Sequence, residues 1–240
     1  MIARFVDGGN TNHVLQAIDE HTKAVFIESV SSTELLVSDT NALADVAHQA
    51  GVPLVVYVQA IAVHSGIANN PYSDNTAGAG GFLLRPIDHG ADIVIASAAE
   101  WLSISGSNSA GIIIDSGKFD WVKNQKRFPQ FFEPSPGFHG SKLWDKFGNL
   151  SFVFYSRAAI MRDTGPCLNP FEAFQLLSGL ETLSVRLEKI SSDALLLAMT
   201  LEDHATVAEV RYPGACPSFM HSQCELLTLK KVSLPTRCTM

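Results

Sequence analysis

Three groups of polar residues each follow an apolar run. Glu28 and Ser29 come after "AVFI", Asp74, Asn75 and Thr76 stand some way beyond "VPLVV", and Ser97 to Glu100 come after "DIVIA". Short runs of β-branched residues like these are the pattern of strands buried in a parallel sheet. Open α/β sheets bind ligands beyond the carboxyl ends of such strands, which is where these polar groups fall. Glu100 could serve there as a general acid or base, or be a solvated carboxylate. Ser97 could hold an anion or satisfy backbone groups at a strand end. Asp74 could face a ligand or cap a turn. Other chemistry has less support. His13, His48, His64, His89 and His139 are scattered without metal or triad spacing and read as surface or helix-end residues. The four cysteines lack ligand spacing and read as reduced thiols. "GAGG" at 78–81 lacks the strand-loop-helix spacing of a phosphate loop and reads as a tight turn.

The elements that position these residues alternate. From Arg4 to Asp115 the strands "AVFIE", "VPLVV", "DIVIA" and "GIIID" are separated by helical stretches, which predicts a parallel sheet covered on both faces. In "DTNALADVAHQAG", Asp39 or Thr40 caps a crossover helix, Leu43, Val46 and Ala47 share its buried face, and Gly51 closes it. Beyond about Ser141 strands nearly vanish. "SKLWDKFG", "LSFVFYSRAAIMRD", "FEAFQLLSGL" and "TLSVRLEKISSDALLLAMTLEDH" read as helices, and "AEVRYPG" as one more strand and turn. This composition divides the chain into a sheet-bearing part over 1–150, interrupted by an insertion at 57–73, and a helix-rich part over 151–240.

Composition narrows the function. The chain has 240 residues, 46% of them hydrophobic, enough for a sizeable core. A formal charge of −7 without a basic cluster longer than "KNQKR" argues against nucleic acid or an anionic membrane. No apolar run approaches the roughly 20 residues of a membrane span, and "MIARFVDGGNTNH" does not resemble a signal peptide. The expectation is a cytoplasmic globular protein.

Several long blocks then carry a resemblance. "ESVSS", "DNTAGAGGFLLRPIDHGADIVIASAAEW", "DSGKFDW", "FPQFFEPSPGFHG" and "GPCLNPFEAFQLLSGLETLSVRLEK", in that order, closely resemble the O-acetylhomoserine sulfhydrylases of the trans-sulfuration family. The resemblance implies an α/β protein of the fold-type I pyridoxal 5'-phosphate (PLP) class: a partial, mostly parallel sheet with flanking helices, then the start of a helix-rich C-terminal domain. It implies γ-replacement of the acetoxy group of an O-acetylhomoserine-type substrate by sulfide or another nucleophile, in a homo- or hetero-oligomer with shared sites. Such an enzyme needs an amine to hold the cofactor as a Schiff base, an acid near the pyridine nitrogen, and donors on the phosphate.

Set against the family's Ser-x-Thr-Lys-Trp motif, this chain has Ser97, Ala98, Ala99, Glu100 and Trp101. Glu100 occupies the lysine position, and Ala99 that of the phosphate-binding hydroxyl. Ser97 and Asp74 match the phosphate serine and the pyridine-facing acid. Ser32 stands where the family carries an asparagine. The resemblance also implies missing early cofactor-domain units and a missing arginine-bearing C-terminal segment, hence an uncovered sheet edge and uncovered helix faces. The insertion at 57–73, whose removal restores the family string, is either a retained intron or a genuine loop. Since a carboxylate has no nitrogen with which to form an imine, the expectation is an inactive relative. The alternative is a non-catalytic subunit that joins an intact paralogue.

Overall fold

The computed structural model describes residues 2–31, 37–58, 81–104, 106, 109–210 and 212. Four strands form one sheet in the order β1 (Val25–Glu28), β2 (Leu54–Val58), β3 (Ile93–Ser97) and β4 (Gly111–Asp115). β1, β2 and β3 are parallel, with Ile27 beside Val56 and Val56 beside Val94. β4 runs antiparallel to β3, with Ile95 beside Ile113. The expectation of a mostly parallel sheet holds, but covering on both faces fails at this edge. The chain between Ser97 and Gly111 forms turns rather than a crossover helix among the described residues, with the Ser103 N–H closing onto the Ala98 carbonyl, so β4 returns beside β3 in the opposite direction.

Strand periodicity assigns each residue to a face. Leu54, Val56, Val94 and Ala96 point to one side and form a core with Val14 of α1 (Thr11–Ala17) and with Leu43, Ala44 and Ala47 of α2 (Thr40–Gln49). α2 forms as its sequence predicts. The Asp39 side chain accepts a 3.0 Å hydrogen bond from the Ala42 N–H, and Gly51 ends the helix with φ at +70°. The opposite face carries Val55, Ile93, Ile95 and Ile113 across from an aromatic cluster. That cluster centres on buried Trp121, whose ring meets Phe128 edge-on at 4.9 Å and Phe131 at 5.0 Å. Arg127 ties it to the α1–β1 connection by donating to the carbonyls of Asp19 at 2.8 Å and Thr22 at 2.5 Å.

Beyond β4 the named elements among the described residues are helical. α3 (Pro129–Phe132) and α4 (Leu143–Phe147) precede α5 (Ser151–Tyr155), a π-helical stretch (Ser156–Met161) and α6 (Arg162–Thr164). α7 (Pro170–Leu180) and α8 (Leu183–Glu202) follow. The strand expected in "AEVRYPG" does not appear at 208–210 or 212, where none of the described strands runs alongside to pair with it. No helix among the described residues is long and apolar enough to cross a membrane.

The amino end of β3 holds an arrangement that sequence spacing concealed. Asp92, buried, accepts from the Leu54 N–H at 2.8 Å and lies 2.8 Å from His48 Nε2 on α2. Burial pushes the Asp92 carboxyl above the usual range, against the opposing pull of His48 and the Leu54 N–H. Burial also raises Asp115, against the Gly117 N–H that it accepts, and the charge of Asp92 adds to the rise. A carboxyl raised on folding contributes stability that is complete below its ordinary value of 3.8 and is lost as pH rises through the folded pKa. The urea midpoint should therefore fall, relative to an Asp92→Asn/Asp115→Asn variant, as the pH goes from about 4 towards about 7. Parallel pH profiles for the two proteins would contradict this.

Candidate active site at the carboxyl end of the sheet

Pairing brings the three parallel strands to a common edge. Glu28, Tyr57 and Ile95 lie in one row, and Val58 pairs with Ala96, so β1, β2 and β3 end within a residue or two of one another. Adjacent strands lie about 4.8 Å apart, which sets Ser29 and Ser97 roughly 10 Å from each other across β2. Tyr57 and Val58, the first two residues of the predicted insertion, continue β2, and the Tyr57 carbonyl accepts from the Ser29 N–H at 3.0 Å. Asp74 and Ser32, two of the candidate cofactor-binding residues, lie outside the described residues.

Beyond β3 the chain folds into a tight turn. The Ala98 N–H donates to the Ala110 carbonyl at 2.9 Å, and the Ser103 N–H donates back to Ala98 at 3.2 Å. Ser97 is buried, and its Oγ accepts from the Ala99 N–H at 3.2 Å. Ala99 and Glu100 are half-buried at the apex. The structure therefore brings together Ser97, Ala99 and Glu100, with Ser29 two strands away. The Ser29 hydroxyl is fully buried and has no hydrogen-bond partner among the described residues.

The turn is fixed from outside by α7 and α8. The Arg186 guanidinium donates to the Trp101 carbonyl at 2.8 Å and to the Gly179 carbonyl at 2.9 Å. Gly179 packs so closely that a Cβ built on it would sit 1.9 Å from the Leu102 carbonyl oxygen. Sequence reading missed both contacts. The available signal was an isolated glycine inside an otherwise regular helical pattern, which marks a close approach.

These residues can be tested against a covalently held PLP. Ser97 and the unpartnered Ser29 hydroxyl are groups that suit an anion. The donor set lacks what attachment needs. Position 100 presents a carboxylate, which has no lone-pair nitrogen to condense with an aldehyde, and position 99 has no hydroxyl. Lys189, on the helix pair that packs against the turn, is engaged with Asp193 at 2.7 Å. The Arg186 charge is directed at backbone carbonyls. The described residues do not fit a cofactor bound through an imine.

Comparison with known proteins places this geometry. Residues 1–231 match the family described as Cys/Met metabolism PLP-dependent enzyme. A homocysteine synthase of Schizosaccharomyces pombe is 48% identical over 88% of this chain and 45% of its own length. Sulfhydrylase FUB7 of Fusarium oxysporum f. sp. lycopersici is 42% identical over the same shares, 88% and 45%. Among solved structures, a Campylobacter jejuni protein described as an O-acetylhomoserine (thiol)-lyase superposes with a TM-score of 0.76 at 28% identity. It covers 91% of this chain and 50% of its own, and it carries an N'-pyridoxyl-lysine-5'-monophosphate. O-acetylhomoserine sulfhydrylase of Wolinella succinogenes gives a TM-score of 0.71 at 30% identity over 92% and 54%. The chain thus spans about half the length of the relatives it matches.

Close packing at Gly179 gives a direct prediction. Gly179→Ala forces a methyl against backbone rather than a movable side chain, so α7 or the 98–104 turn must shift. The expected loss is about 1–3 kcal/mol of stability in urea titration. An unchanged midpoint would show that α7 does not hold the turn.

Proposed function

Because the chain belongs to the Cys/Met metabolism PLP-dependent enzyme family, we propose that it is an O-acetylhomoserine sulfhydrylase-type protein without γ-replacement activity of its own. One observation carries this reading: the position that would supply the cofactor's amine is Glu100, held in an ordered turn at the end of β3. No adjustment of pKa lets a carboxylate replace that amine, because the defect is a missing atom. The hydroxyl absent at Ala99 adds to the loss. In this reading Ser97, Asp74 and Ser32 are what remains of the phosphate and pyridine contacts. Residues 1–150 are the cofactor-domain part and 151–240 the connecting helix and C-terminal part of a cytoplasmic protein. Among the described residues all four strands lie before Ser116, which supports that division.

A second reading is favoured by the surface of the helix pair. Phe171, Phe174 and Leu177 on α7, and Val185, Leu196 and Leu197 on α8, are all exposed. Phe171, Phe174 and Leu177 are spaced to share one helix face. Apolar stripes of this kind mark contact surfaces, and an intact paralogue is a partner that this reading supplies. The chain would then be a non-catalytic subunit.

The first reading is tested by turnover. Purified protein given PLP, O-acetylhomoserine and sulfide is expected to form homocysteine no faster than the same mixture without protein. Formation that scales with protein concentration would overturn it. Under the second reading, a full-length paralogue co-purifies with the tagged chain, and Phe174→Glu abolishes the association.

A further inference from the structure

We draw no further inference here: the strongest candidate, the apolar cavity between Val55, Ile93, Ile95 and Ile113 of the sheet and the aromatic cluster around Trp121, is an open apolar face, and nothing in the structure shows what covers it.

Discussion

The candidate site depends on the pairing of β2 with a parallel strand on either side. Leu54 and Val56 are fully buried against α1 and α2, and Val55 faces the aromatic cluster, so β2 has one acceptable register. A slip by one residue would turn Leu54 and Val56 out of the helix-covered core. That register brings the ends of β1 and β3 level and sets the turn carrying Glu100 at the edge where α/β sheets bind ligands. The buried Asp92, accepting from the Leu54 N–H, reinforces it from the opposite end of β3.

Around position 100, framework and chemistry have separated. The framework is ordered: Ser97 caps the turn locally, Ser103 closes it onto Ala98, and Arg186 with Gly179 fixes it to α7 and α8. Each of those contacts meets a backbone group of the turn, and none of them is made by the side chain of residue 100. In the proposed reading, glutamate in place of the family's lysine removes the nitrogen that cofactor attachment requires. Fold and family are thus preserved where activity need not be.

How far the sequence anticipated the structure follows from the range of each interaction. The parallel strands and α2 were legible because β-branched runs, the Asp39 cap and Gly51 act within a few residues of themselves. The location of Ser97, Ala99 and Glu100 at a strand end followed from the same local pattern. The reversal of β4 goes with the turns that residues 98–104 form instead of a helix, and the apolar content of "GIIID" does not encode strand direction. His48 and Asp92 lie 44 positions apart, and Arg127 reaches carbonyls more than 100 positions away, so neither contact leaves a spacing to read. The absence of a strand at 208–210 has the same origin, because β propensity without a neighbour does not make a strand.

The central claim is that no amine in this protein holds PLP. Incubation of the purified chain with PLP, reduction with borohydride and mass mapping of every lysine-containing peptide tests it most directly. The account predicts unmodified lysines at a PLP concentration that labels an intact sulfhydrylase stoichiometrically. Stoichiometric pyridoxyl mass on any one lysine of this chain would contradict it.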